Sequence, residues 1–260
     1  MGSRKSSAWL SVNRVAGFVI SIGSEYVQWP QGPFADEVER KFESKKKIPG
    51  IIGAIDCTHI AIKAPTVNKH CYFDRKQNYS LVIQAVVDAE KKFIDITVGE
   101  PGSLHDSRVL RRSELYSRAE TDYIELFPNS YFILGDSAYP SKSWLVPPFK
   151  DTGNLTDAQR RFNYIHSSTR IVVENTFGLL KGRFRRLKFT EQTDLRVVTK
   201  IIMSACIMHN ICLSHDDLYD ENEETPDEIV VIPYNNDDPA DPSINRREIL
   251  FRYLQEQNII

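Results

Sequence analysis

The sequence predicts an α/β fold, a mixed sheet flanked by helices, on three observations. Three β-rich runs follow one another at 51–63, 81–87 and 93–98, the last two separated only by the turn DAEKK. A helical run at 105–120 then precedes a fourth apolar run at 131–134. Three more helical runs lie between 155 and 213. Strands that begin as an antiparallel meander and return through a crossover helix build one mixed sheet, with helices on its faces.

Each element has its own signal. Residues 6–22 place Leu10, Val15, Phe18, Val19 and Ile22 near a 3.6-residue period, with Ser6 or Ser7 as the cap. WPQGP at 29–33 breaks the chain, and 34–45 is a second amphipathic helix. IIGAIDCTHIAIK (51–63) carries Asp56 and His59 among apolar neighbours. Leu81–Val87 and Phe93–Val98 form the hairpin. HDSRVLRRSELYSRAE starts a helix with Asp106 in its first turn, where a carboxylate suits the helix dipole. YFILGD is a short buried strand that ends in Asp136, and PSKSWLVPPFKDTGN reads as loop. Residues 155–167, with Thr156 as cap, 168–187 and 195–213 complete the list as three helices. The strand pattern resembles that of the ribonuclease H fold. Residues 1–47 form a helical region of their own, 48–215 the sheet domain, and 216–260 an acidic, flexible tail ending in a short helix.

With 260 residues and 41% hydrophobic side chains the chain can bury a sizeable core. No uninterrupted run of about 18 apolar residues exists, and the N-terminus lacks a secretory signal, so no membrane span is expected and an intracellular protein is. Cys57, Cys71, Cys206 and Cys212 are scattered and read as reduced thiols. The net charge of −2 conceals an asymmetry. Residues 216–245 hold eleven Asp and Glu and no Lys or Arg, leaving residues 1–215 at +8. A basic body suits a polyanionic partner, and a solvated surface accounts for the same numbers.

Four isolated acids at element edges suggest a divalent-metal site. Phosphodiester chemistry with magnesium needs oxygen ligands, few protein donors and room for water and substrate. Asp56 and Asp136 fall on strands expected to be neighbours, and Glu174 on a later helix could close the site. Taken singly, each acid also has a plain reading: turn amides for Asp56, a helix start for Asp106, an Asx-turn for Asp136 and an i−4 pair with Arg170 for Glu174. Arg170, Glu174, Gly178, Lys181 and Arg185 share one helix face, while Val173, Phe177, Leu180 and Phe184 form the buried one. The basic members, Arg170, Lys181 and Arg185, are the candidate phosphate contacts. His59 and His105, each within three residues of an acid, suit proton transfer or, more simply, a structural hydrogen bond. Cys206, His209 and Cys212 lie in an apolar helix at a spacing that favours packing over zinc.

Five blocks then carry a resemblance: GAIDCTHIAIKAP, VVDAEKKF, PGSLHDSRVLRRS, LGDSAYPSKSWLVPP and RIVVENTFGLLKGRFRRL. In this order they resemble the PIF/Harbinger DDE transposases and their domesticated relatives, the Harbinger transposase-derived nucleases, over about residues 48–213. The resemblance implies a ribonuclease H-like nuclease domain that cuts DNA with a divalent metal, magnesium or manganese. It implies Asp56, Asp136 and Glu174 as catalytic acids, with Asp106 as a fourth metal ligand. Asp136 and Glu174 stand 38 positions apart, a spacing in keeping with that class. It also implies an N-terminal helix-turn-helix region, of which KSSAWLSVNRV resembles the end, a separate Myb-like partner protein, and a nuclear location with cytoplasm as the second site. A homo-oligomer is compatible with it. The rival reading is a non-catalytic DNA- or chromatin-binding protein, or a partner-recruiting one, of transposase descent. An RNA-directed nuclease on the same fold is a third.

Overall fold

The computed structural model describes residues 7–217 and 245–260. Its helices and strands run in the order α1 (Ser7–Ser21), α2 (Gly23–Tyr26), α3 (Gly32–Lys46), β1 (Ile51–Ile62), β2 (Ser80–Val87), β3 (Phe93–Pro101), α4 (Asp106–Arg112), α5 (Glu114–Thr121), α6 (Tyr123–Leu126), β4 (Phe132–Leu134), β5 (Leu145–Val146), α7 (Asp157–Arg183), β6 (Phe189–Thr190), α8 (Leu195–Ser214) and α9 (Arg246–Glu256). The acidic run 218–244, its EIVVIP segment and the cap candidate Ser6 lie outside the described residues.

The strands form one mixed sheet in the order β3-β2-β1-β4-β5, with β6 paired to the far end of β1. β1, β2 and β3 are the antiparallel meander, and β4 and β5 add in parallel. The expected α/β fold is therefore present. Every residue of β2 is buried, as is the first part of β1, because helices cover the sheet. α7 lies across β1 and β2, α3 against β1, α8 against β3 and α4 against β2. α1 packs on α8.

Gly53 fixes the close packing of this centre. A Cβ there would lie 2.6 Å from Val86 Cγ1 and 3.2 Å from Ile133 Cγ2, so a larger residue would push the strands on either side apart.

Several elements differ from the sequence reading, which also lacks the one-turn helices α2 and α6. The run 105–120 is two helices, because Ser113 adopts an extended backbone and its hydroxyl accepts the Tyr116 N–H at 3.2 Å, capping α5. The runs 155–167 and 168–187 are instead one 27-residue helix that ends at Arg183. Ser168 and Thr169, which looked like a break, donate their hydroxyls back to the Ile165 carbonyl and leave the helix intact. Thr156 does cap it, in a reciprocal capping box with Gln159. The loop after Asp136 contains β5, and the turn after α7 leads into β6. Both are two residues long, too short to show a period.

α8 is long and apolar enough to cross a membrane by length and composition. Here it serves as a core helix, with Val198, Ile202 and Cys206 buried and Asn210 holding both backbone groups of Phe93. α9 docks Leu250 and Leu254, and Arg247 lies 4.5 Å from the centre of the Phe149 ring.

Gly53→Ala should cost about 1–3 kcal/mol through overpacking. Urea unfolding measures it, with the midpoint lowered and the slope unchanged.

Candidate active site

The sheet register builds the site. Ala54 on β1 pairs with Leu134 on β4 in parallel. Two residues further along both strands stand Asp56 and Asp136, which therefore come level. β3 runs in the same direction as β1, so its end delivers the chain to the same edge. There α4 begins with Asp106 as its first residue. One carboxylate oxygen from each of Asp56, Asp106 and Asp136 lies within 4.8 Å of the other two. Among the described residues this is the group arranged to hold a metal ion. Cys206 is buried and His209 bonds the Lys91 carbonyl at 2.9 Å, so that helix packs as core.

Glu174 reaches the site from α7 through Arg170. The Arg170 guanidinium donates to Asp56 Oδ2 at 2.6 Å and to Glu174 Oε1 at 2.5 Å. Its side chain is 13% exposed, Asp56 16% and Glu174 26%. The i−4 pair that α7 permits is thus extended across the fold to β1. Asp56 Oδ1 accepts the Cys57 N–H at 2.8 Å, and Asp136 Oδ1 accepts the Ala138 N–H at 2.9 Å in an Asx-turn. These local bonds are those expected of acids with a structural role. They coexist with the cluster and aim the second oxygen of each carboxylate.

The cluster carries an electrostatic load. Burial, then the charges of Asp136 and Asp56, push Asp106 up to about 7. Burial and Asp56 push Asp136 up to about 6, with Arg170 opposing. Cys57, beside Asp56, is held well above the thiol range by burial and by Asp106. Its Sγ lies 3.4 Å from the hydroxyl of the buried Tyr139. Arg170 is raised by Asp56 and Glu174 against the effect of its own burial.

The donor set fits a hard divalent cation. It is all carboxylate oxygen, it comes from separate elements, and its excess negative charge favours protonation until a cation replaces the protons. Asp56, Asp106 and Asp136 would hold such a cation, with Glu174 across Arg170.

The other candidates fall around this centre. On α7, Val173, Phe177 and Leu180 are buried, and Lys181 lies near the helix end. Arg185 stands past that end, in a 3₁₀ turn at Arg185–Leu187, so the single helical face expected for it stops short. His59 bonds Ser80 Oγ at 2.9 Å through Nδ1, and His105 stands at the N-cap position of α4 without a side-chain cap bond, its ring contacting Arg75. Three groups near the acids had no weight in the sequence reading. Tyr139 and Cys57 form the buried contact just described. Arg75, in the loop between β1 and β2, helps to offset the rise at Asp106. A signal existed for Arg75: it stands in DRKQN, a basic pair between two turn formers.

With this geometry in hand, comparison with known proteins defines the class. A DDE superfamily endonuclease domain matches residues 55–210, and the chain belongs to that family. It is 34% identical over 219 residues to "Putative nuclease HARBI1" of Mus musculus, covering 83% of this chain and 61% of that one. It is 33% identical over 205 residues to "Protein ALP1-like" of Arabidopsis thaliana, covering 74% and 50%. It is 31% identical over 208 residues to "Antagonist of like heterochromatin protein 1" of the same plant, covering 76% and 52%. The Harbinger-type kinship read from the five blocks is therefore shown. The chain spans half to three-fifths of the length of these curated relatives. No solved structure matches it.

The raised carboxyl groups set two pH dependences. A carboxyl with a raised folded pKa keeps its proton in the folded chain after the unfolded chain has lost it. Metal-free stability should fall as pH rises from about 4, the ordinary aspartate value, to about 7, and then level off. Asp106→Asn removes that charging, so it should raise the melting temperature more at about pH 8 than at about pH 5. Mn²⁺ affinity of the unmodified chain, read by electron paramagnetic resonance, should rise over the same window and flatten above it.

Proposed function

We propose that the chain is a divalent-metal-dependent DNA endonuclease of Harbinger transposase descent. The observation that carries this is the convergence of Asp56, Asp106 and Asp136 within 4.8 Å, in a chain of the DDE endonuclease family. When bound, two magnesium or manganese ions would supply activation of the attacking water and stabilisation of the leaving 3′ oxygen.

The chain's own residues do the rest. Asp56 on β1 and Asp136 just past the end of the adjacent β4 hold two oxygen donors level. Asp106 completes a facing set from α4. Glu174 offers its carboxylate from the other side. Arg170 screens Asp56 from Glu174, and with one N–H given to each of them its guanidinium keeps further N–H groups that a DNA phosphate could accept. Lys181 and Arg185 are the further phosphate contacts, and they act as charges along the backbone rather than as readers of bases. Sequence choice then falls to another module, for which a Myb-like partner protein and a nuclear location are the natural expectations. A homo-oligomer is consistent with the same reading.

A second reading has one observation in its favour. A relative of 31% identity bears a name that makes it the antagonist of a heterochromatin protein. A chain of this family could by that precedent act on chromatin without cutting DNA. Metal binding separates the two, since a scaffold has no need of it.

Asp136→Asn should abolish plasmid nicking in Mg²⁺ and in Mn²⁺ while the fold persists. Nicking by the unmodified chain alone establishes the nuclease. Equal nicking by both proteins removes Asp136 from the mechanism. Absence of both nicking and metal binding favours the chromatin reading.

A further inference from the structure

The 17-residue connection between β1 and β2 is not a plain loop. Its second half folds into a small hairpin closed by a bridge between Phe73 and Tyr79, whose rings meet edge-on at 5.4 Å. Asp74 organises the tip. It is 8% exposed; its Oδ1 accepts the Asn78 N–H at 2.9 Å and its Oδ2 the Ser80 hydroxyl at 2.8 Å. Its backbone N–H and carbonyl are also engaged, with Asn78 and Gln77. Arg75, Lys76 and Gln77 are left at the exposed apex, Gln77 with φ +64°.

The base of the hairpin is braced against the segment that delivers Asp106. The Gly102 N–H donates to the Ser80 carbonyl at 2.9 Å and the Ser103 N–H to the Cys71 carbonyl at 3.1 Å. A Cβ at Gly102 would lie 2.1 Å from Ser80 Oγ, so this approach requires glycine. The tip is therefore held at a set position beside the acids. Arg75 contacts the ring of His105, the residue before Asp106. Burial lowers the His59 pKa, Asp74 opposes this, and the charges of Lys181, Lys76 and Arg75 lower it further. Asp74, the acid within residues 63–79, faces inward, whereas Lys63, Lys69, Arg75 and Lys76 are exposed. Phe73, 44% exposed, adds an apolar ring to the same patch.

We propose that the Phe73–Tyr79 hairpin is a rigid clamp for the backbone of duplex DNA, with Arg75 and Lys76 gripping phosphates next to the acid cluster and Lys181 gripping from the α7 side. The chemistry is that of a polyanion recognised by a preorganised cationic tip. A cluster of carboxylates repels DNA, and cations on its rim offset that repulsion where the strand must approach. Because Asp74 fixes the backbone of the tip, little loop ordering opposes binding. The inference rests on the DNA endonuclease reading and names the surface that presents the substrate.

The test is fluorescence anisotropy of a labelled DNA duplex with Ca²⁺ in place of Mg²⁺, titrated between about 50 and 200 mM salt. Arg75→Ala with Lys76→Ala should weaken binding roughly tenfold and make the plot of log affinity against log salt shallower by about 2. Arg75→Lys with Lys76→Arg should retain the slope, because charge and not local shape is what the clamp supplies. Above the titration of Asp106, at about pH 8.5, Mn²⁺ affinity should not fall in either variant, which shows the acid cluster intact. If the alanine pair binds with unchanged affinity and slope, the clamp is refuted and the endonuclease reading stands. If the unmodified chain binds Mn²⁺ but no DNA, both fall. Tighter binding to an RNA duplex than to DNA overturns the assignment to DNA.

Discussion

The arrangement turns on the Arg170 guanidinium, set between Asp56 on β1 and Glu174 on α7. Like charges brought together at a sheet edge repel, and partial burial magnifies that repulsion. The three acids of the cluster, and Glu174 outside it on the far side of Arg170, each meet this in their own way. Asp56 is paired with Arg170, Glu174 shares the same cation, and Asp106 and Asp136 hold their protons to higher pH. Breaking one arm of a desolvated ion pair leaves its partner uncompensated, at a cost of about 3–5 kcal/mol in buried cases. The Asp56 arm therefore ties α7 to the centre of the sheet, beside the buried Val173 and Leu180, while the Glu174 arm lies within α7 itself. A divalent cation in the cluster would relieve the same repulsion that Arg170 and the protons relieve here.

That electrostatic strain is tolerated because the platform beneath it is stiff. β1 is flanked by β2 on one side and β4 on the other, with Gly53 allowing the close approach and Ile51, Ile52, Ala54 and Ile55 buried. Asp56 is the first residue of the strand to leave this core. Asp136 leaves β4 at the same level, and its Asx-turn prevents the strand from continuing. Cations stand at this edge: Arg170 within it and Arg75 against His105, the residue before Asp106.

Much of this was legible in the chain itself. The antiparallel meander, the crossover and the long terminal helices follow from periodicity and turn residues, because each of those elements is long enough to show its pattern. β5 and β6 were not legible, since two residues have no period and exist only as partners of β4 and β1. The break at Ser113 and the continuity through Ser167–Thr169 were misread for one reason. A hydroxyl can cap a new helix or bond back within an old one, and the surrounding packing chooses. Arg75 was passed over because a basic pair in a loop is usually only solvated.

The sequence by itself determined the kind of sheet, the candidate acids and the family, since these depend on residue type, order and spacing along the chain. Only the tertiary structure decided which oxygens meet. The register of β1 on β4 brought Asp56 and Asp136 level, and the direction of β3 brought Asp106 beside them. The same packing let Arg170 span 114 positions to reach Asp56 and braced a cationic hairpin at the rim. Distances of this kind arise from the closure of a core around non-local pairs, and no local pattern of residues encodes them.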